Sequence, residues 1–360
     1  MKIGIYGGSF DPIHIGHIKT AENAIKELNL DKLIFIPANL SPFKKNNKVA
    51  SNQHRLNMIS MSLGQKMEVS DFELKRQGVS YTIDTVKYFK NKYKNHEIFL
   101  IIGSDNVPTL NKWKNIDEIA SLVKIAVVRR SNKINKINIK KYNGVLLKNE
   151  PIEASSTIYK KGVFEIVSPE VQNYIQKHFL YAEQIIHNYL SAKRAKHCMA
   201  TGEFAANLAK AHGLSARQAY YAGIFHDIAK EIDPEIQKQW ILNNEPDMDV
   251  EYPKYKLHQY AGYIWLKYGY LLEDQEILNA IKIHTSMAEN MTSLDKILFI
   301  ADKICQGRKF PGIQKVRELT FKDLEAGFQE VVKYTYQFNI DKGVEFDQKQ
   351  ESLYRKWGKF

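Results

Sequence analysis

Residues 2–17 read Lys2-Ile3-Gly4-Ile5-Tyr6-Gly7-Gly8-Ser9-Phe10-Asp11-Pro12-Ile13-His14-Ile15-Gly16-His17, and the fold class follows from this stretch. Lys2 to Tyr6 is a short, β-rich run, Gly7 and Gly8 let the backbone turn sharply, and a helix begins at the histidines. In that order, the helix start aims free backbone N–H groups at whatever sits above the strand end, a geometry that cradles phosphate. His14 and His17 are three apart and project from one face of the first helical turn, where imidazole donors meet a phosphate held there. Gly16 between them removes a side chain that would obstruct close approach. A lone Gly-Gly-Ser is an ordinary turn, but here strand, turn, helix start and paired histidines all agree.

Reading outward, β-rich runs alternate with helical patterns, the grammar of a mostly parallel sheet. Lys2 to Tyr6, Lys32 to Pro37, Glu97 to Ile102 and Lys124 to Val128 are expected strands; Ala21 to Leu28, Gln53 to Leu63 and Thr82 to Tyr93 are expected helices. A hairpin-like stretch, Asn143 to Leu147, and a helix, Glu170 to Phe179, complete this half. After Leu180 helical patterns follow one another: Arg194 to His212, Ser215 to Lys230, Pro234 to Leu242, His258 to Tyr268, Glu273 to His284, Leu294 to Cys305 and Leu319 to Phe338. The expectation is an α/β Rossmann-like domain over residues 1–181 followed by an all-α domain over residues 182–360, with no internal repeat.

The 360 residues suffice for two domains, and with 44% hydrophobic and 26% charged residues each half can bury a core. The longest apolar runs, such as Ile98 to Ile102, fall far short of the ~18 residues of a membrane helix. Met1-Lys2 leads into the glycine turn rather than a signal-peptide core, so the expected location is cytoplasmic, with no membrane association. Two cysteines, Cys198 and Cys305, are too few for a disulfide framework and read as packing residues in a reducing compartment. The net charge is +12, and all of the basic excess lies in the first half. Its lysines are scattered through Asn-rich loops, which favours a solvated basic surface over a nucleic-acid footprint.

The opening string resembles the H-x-G-H nucleotidyltransferases. Ser80-Tyr81-Thr82-Ile83-Asp84-Thr85, and Gly103-Ser104-Asp105 with Trp113 following, narrow the resemblance to bacterial nicotinate-nucleotide adenylyltransferase. Taken alone, Trp113 is an ordinary core residue and Asp105 an ordinary turn residue. The resemblance implies that Gly7, Gly8, Ser9 and Phe10 approach ATP and that His14 and His17 hold its phosphates. It also puts Thr82 and Trp113 in a nicotinate pocket, Asp105 and Gly103 by the adenosine ribose, and Lys44 toward phosphate. Ser155-Ser156-Thr157-Ile158-Tyr159-Lys160 matches the family's second phosphate element, with Ser156 and Thr157 at a helix start and Lys160 replacing the family's arginine. Charge is kept there and the guanidinium fork is lost. The chemistry implied is attack of the nicotinate mononucleotide phosphate on the α-phosphorus of ATP, aided by Mg²⁺, with catalysis by positioning and cationic stabilisation.

In the helical half His197, His226-Asp227, His258, His284 and Asp302 sit on successive expected helices. One histidine on an amphipathic helix is usually a satisfied polar residue, but four with two aspartates in the order H…HD…H…H…D point to a metal between helices. The order resembles the HD phosphohydrolases. His284-Thr285, Ala301-Asp302-Lys303 and Gly307-Arg308-Lys309-Phe310-Pro311-Gly312 resemble the branch of symmetrical bis(5'-nucleosyl)-tetraphosphatases. That implies two metals, Fe or Mn from the mixed His/carboxylate donors, bridged by Asp227. His197, His226 and Asp302 would hold one and His258 and His284 the other, with Lys230 and Arg308 neutralising a dinucleoside polyphosphate.

The expectation is thus a bifunctional enzyme using ATP, nicotinate mononucleotide and dinucleoside polyphosphates, with self-association left open. The competing reading is another H-x-G-H adenylyltransferase whose helical half senses, or hydrolyses, a different nucleotide.

Overall fold

Lys2–Gly8 (β1) buries its four central residues because neighbours cover it on both sides and both faces. In the computed structural model, which describes residues 1–40, 49–151, 154–248 and 254–360, it is the centre of a six-stranded parallel sheet. The other strands are Lys32–Pro37 (β2), Met67–Val69 (β3), Glu97–Gly103 (β4), Lys124–Val128 (β5) and Val145–Leu146 (β6), in the order β3-β2-β1-β4-β5-β6. Ile3 pairs with Lys32 on one side and Ile98 on the other. The α-helices of this half are Ile15–Leu28 (α1), Asn52–Met61 (α2), Phe72–Arg76 (α3), Thr82–Lys92 (α4), Ile116–Leu122 (α5), Ile137–Lys141 (α6), Ser156–Tyr159 (α7) and Pro169–His178 (α8). α1 follows β1 and ends at Asn29, whose left-handed backbone returns its N–H to the carbonyls of Ile25 and Lys26.

Because the chain lays β2 and β3 to one side of β1 and then crosses back to place β4 on the other, the strand order reverses between β1 and β4. Connections leave the carboxyl ends of those strands in opposite directions, opening a crevice there. The Rossmann-like expectation is borne out. The stretch Asn143 to Leu147 is no hairpin, however. The short α6 carries the chain across, so β6 joins β5 in parallel. β3 was missed because three residues are too few to show a period.

The all-α expectation for the second half is borne out as well. Its helices are Ala182–Tyr189 (α9), Ala192–Ala211 (α10), Ala216–Phe225 (α11), Pro234–Asn244 (α12), Lys254–Ile264 (α13), Gln275–Ile283 (α14), Ser293–Ile304 (α15), Ile313–Lys322 (α16), Leu324–Asp341 (α17) and Gln348–Gly358 (α18). A single π-helical turn, Trp265–Gly269, extends α13. The helix expected over Leu319 to Phe338 is two helices. Asp323 ends α16 in extended backbone, and its carboxylate accepts the Ala326 N–H to start α17. By contact density the chain divides into Met1–Tyr159 with Val163–Tyr174, and Lys160–Gly162 with Ile175–Phe360. Among the described residues no helix is long and apolar enough to cross a membrane.

In the second unit α10 packs directly on α11 where two glycines meet. A Cβ on Gly223 would lie 2.5 Å from the Gly202 Cα, and one on Gly202 would lie 2.9 Å from the Tyr220 carbonyl oxygen. Backbone atoms cannot yield as side-chain tips do, so either methyl would push the helices apart. Gly223→Ala is therefore expected to destabilise the second unit by about 1–3 kcal/mol while leaving the first unit's unfolding transition in place. Scanning calorimetry of the whole chain checks this; a change confined to the first unit's transition would refute it.

Candidate active sites

In the first unit, Gly7 and Gly8 close β1, and His14 is the N-cap of α1. The two imidazoles stack, with ring centres 3.7 Å apart. Nδ1 of His14 accepts the Gly16 N–H at 3.1 Å, and Nδ1 of His17 accepts the His14 N–H at 3.2 Å. These reciprocal bonds form a capping box and place the proton of each neutral ring on Nε2. Burial, helped by the charge of Arg130, lowers the His14 pKa to about 3, so His14 is a neutral donor at physiological pH. A Cβ on Gly16 would sit 3.0 Å from both the His14 ring and the Ala154 Cβ, which is why glycine stands there.

Other segments reach the carboxyl ends of the strands. Gly103 ends β4, and a side chain on it would collide with the Asp105 carboxylate and the Arg130 Cδ. Arg130, just past β5, donates to the Ala154 carbonyl at 2.5 Å, and its Nε lies 3.8 Å from Asp105. It thus ties the Gly103-Ser104-Asp105 turn to the start of α7. Sequence reading missed Arg130, whose only signal is its place after a strand. Ser156 opens α7 and donates to the Pro12 carbonyl, while Thr157 is exposed. Thr82 is the first residue of α4, and the Trp113 indole N–H is buried without a protein acceptor. Phe10 is core rather than ligand surface: its ring is buried against Tyr6, His17 and Phe35. Lys160 belongs to the second unit, with its ammonium 4.8 Å from the centre of the Tyr181 ring. Lys44 lies outside the described residues.

In the second unit, six side chains from five helices converge. His197 comes from α10, His226 and Asp227 from the end of α11, His258 from α13, His284 from the end of α14 and Asp302 from α15. Their possible ligand atoms form two triads, His197/His226/Asp227 and Asp227/His258/His284, each within 4.8 Å. Asp227 turns one oxygen to each: Oδ2 is 3.4 Å from His226 Nε2, and Oδ1 is 3.3 Å from His258 Nε2. Asp302 Oδ1 adds to the first triad, 3.0 Å from His197 Nε2.

The donors fit a pair of divalent cations. His226 and His284 each engage a backbone carbonyl through Nδ1 at 2.7 Å, those of Gly223 and Ile281, so each turns Nε2 to the cluster. His226 Nε2 is buried without a hydrogen-bond partner, and the Nε2 atoms of His258 and His284 face one another at 3.1 Å. Burial opposes charge on His226, but Asp227 and Asp302 outweigh it and push the pKa up to about 9. Burial lowers that of His258 to about 4. Burial likewise opposes ionisation of Asp227 and Asp302, yet neighbouring cations and N–H donors hold both carboxyls well below the usual range. Both are carboxylates, ready to ligate.

Cations ring the cluster. Arg194 donates to Asp227 at 2.6 Å, Lys303 and Arg308 to Asp302 at 2.5 and 3.0 Å, and Lys230 Nζ is 3.1 Å from His258. Arg194 and Lys303 were missed. Arg194 had a signal, standing one turn before His197 on α10. A cleft of about 560 Å³ opens on Asp227, His258 and Asp302 and is also walled by Phe310, Tyr334 and Phe338. Phe310 and Tyr334 stack at 3.6 Å. That volume lies in the range of small-molecule sites.

The comparisons agree with both halves. A cytidylyltransferase-like family model matches residues 5–162 and an HD domain model matches residues 194–306. A Mycoplasma pneumoniae protein named a probable nicotinate-nucleotide adenylyltransferase/Ap4A hydrolase is 35% identical over 341 residues, covering 92% of this chain and 98% of its own. A Mycoplasma genitalium protein of the same name is 36% identical over 86% of this chain and 88% of its own. A crystal structure of a predicted HD superfamily hydrolase involved in NAD metabolism, from Clostridium acetobutylicum, is 31% identical over 48% of this chain and 92% of its own, with a TM-score of 0.45. Matched along nearly its whole length by proteins of that name, the chain belongs to the nicotinate-nucleotide adenylyltransferase/Ap4A hydrolase family.

Proposed function

We propose that the chain is a bifunctional enzyme. Residues 1–181 transfer AMP from ATP to nicotinate mononucleotide, giving deamido-NAD and pyrophosphate, and residues 182–360 hydrolyse diadenosine tetraphosphate to two ADP. What carries the first activity is the pair of imidazoles at the start of α1, beside the crevice, each with its Nδ1 accepting a backbone N–H so that Nε2 is the ring's donor atom. A mononucleotide phosphate oxygen attacks the α-phosphorus, the bond to the β-bridging oxygen breaks, and pyrophosphate takes the electrons. His14 and His17 donate to the phosphoryl oxygens as charge grows, and Mg²⁺ on the triphosphate would neutralise part of that charge. Arg130 and Thr157 complete the phosphate contacts.

What carries the second activity is Asp227, which offers one oxygen to each histidine pair. The two triads sharing Asp227 would hold two divalent ions, iron or manganese by donor type, which would supply Lewis acidity and lower the pKa of a bound water. Arg194, Lys230, Lys303 and Arg308 neutralise the polyphosphate, and the aromatic wall of the cleft offers a base a stacking face.

His17→Ala is expected to lower deamido-NAD synthesis by about 100-fold with hydrolysis intact; an unchanged rate, read by chromatography, removes His17 from the phosphate site. Asp227→Ala is expected to abolish hydrolysis and bound metal together while sparing adenylyl transfer. Metal analysis of the purified variant decides this, and retained metal with retained hydrolysis would refute the bridge. The wild-type enzyme given diadenosine tetraphosphate is expected to release ADP alone, and recovery of AMP with ATP would place the attack elsewhere on the chain of phosphates.

A further inference from the structure

Arg55, on α2, is 1% exposed and is the largest fully buried side chain among the described residues. None of the residue roles above uses it. Its Nη1 donates to the Ser9 carbonyl at 2.8 Å, inside the glycine turn after β1. Its Nη2 donates to Asn52 Oδ1 at 2.6 Å, and Asn52 Nδ2 donates in turn to Asn39 Oδ1 at 2.9 Å, just past the end of β2. Asn39 continues the chain: its side-chain amide donates to the Gly78 carbonyl and its backbone N–H to Ser80 Oγ, each at 3.0 Å. The Ser80 N–H returns to the Leu40 carbonyl, and its hydroxyl bonds the Glu73 carboxyl, which also takes the Thr85 hydroxyl at 2.5 Å.

An unbroken line of hydrogen bonds therefore runs from Ser9 through Arg55, Asn52 and Asn39 to Ser80, two residues before Thr82. Its two ends are the turn that meets ATP and the segment that meets the mononucleotide. These segments leave different strands. Past the strand ends two backbone bonds, Ala38 N–H to the Gly8 carbonyl and Ser80 N–H to the Leu40 carbonyl, each at 2.9 Å, follow the same path, and the side-chain line through Arg55 and Asn52 braces the Ser9 end against Asn39 independently of them. In-line displacement is sensitive to the spacing between the segments, since a misplacement of about 1 Å costs on the order of 100-fold in rate. The Arg55 fork spans two acceptors in a fixed plane, which a lysine cannot do.

We propose that Arg55 is a positioning residue for adenylyl transfer: through Asn52 and Asn39 it sets the distance between the Gly7–Phe10 turn and the Ser80–Thr82 segment, and so the alignment of the two reacting phosphates. This rests on the adenylyltransferase reading of the first unit. It predicts loss in kcat rather than in the affinity of either substrate, because the line touches neither substrate directly.

The test uses the full-length chain. Wild type is first assayed with ATP and nicotinate mononucleotide; absence of deamido-NAD there would sink the adenylyltransferase reading itself, separately from the role of Arg55. Given activity, Arg55→Lys and Asn52→Ala are each expected to lower kcat by about 10- to 100-fold, with both KM values within about threefold of wild type. The double variant is expected to lose no more than the worse single one, since one line is already broken. Hydrolysis of diadenosine tetraphosphate by the same samples reports the amount of intact chain, and calorimetry reports the first unit's fold. Should Arg55→Lys fail to fold, Asn52→Ala, at a half-buried position, decides alone. An unchanged kcat in folded Asn52→Ala, or a KM rise for one substrate at unchanged kcat, overturns the proposal.

Discussion

A carboxylate that is 4% exposed is costly to keep ionised, and the second unit is organised around making one affordable. Asp227 faces His226, His258 and His284, and the Arg194 guanidinium closes on it at 2.6 Å. Removing one partner of such a buried charge costs about 3–5 kcal/mol, so the surrounding helices are not free to drift. His197, His226, His284 and Asp302 lie near helix ends or one turn in, where a small rotation of a helix moves a ligand atom out of reach. Packing of the core around Phe299, Ile300 and Phe328 thereby becomes a condition of the chemistry.

The first unit solves a different problem. His14 is neutral, and what matters in the stacked pair is which nitrogen of each ring is left to donate. Backbone N–H groups of the first turn of α1 settle that by occupying both Nδ1 atoms. The same turn that caps the helix therefore prepares the donors. Arg130 contributes in a similar economy: one guanidinium braces two turns and adds its charge to the burial that depresses the His14 pKa.

Much of this was legible in the sequence because strong periods and dense motifs carry their own context. β1, the glycine turn and the paired histidines were readable together, and the helical half announced itself by unbroken helical patterning. The H…HD…H…H…D order spread the six residues over five helices, His226 and Asp227 sharing one, and the structure brings them into one cluster. Apart from Arg194, what escaped had little local signature. β3 is three residues long, and α18 begins after a Gly343-containing loop with few apolar residues to reveal a period. Arg130, Lys303 and Arg55 are ordinary basic residues until the fold supplies their acceptors. The resemblance put Phe10 beside ATP, yet a left-handed backbone at that position, φ 48°, turns its ring into the core.

Gly223 occupies an unusual place in this arrangement. Its bare Cα admits α10, and its carbonyl oxygen, 2.7 Å from His226 Nδ1, aims that imidazole. Architecture and chemistry thus share one residue, but only the first depends on its lacking a side chain. Among descendants that had abandoned hydrolysis while still needing a folded partner domain, selection would go on holding glycine at 223 and release histidine at 226. Descent would then separate the two duties: drift at 226 alone marks an enzyme that fell silent, and drift at 223 marks one that lost its shape.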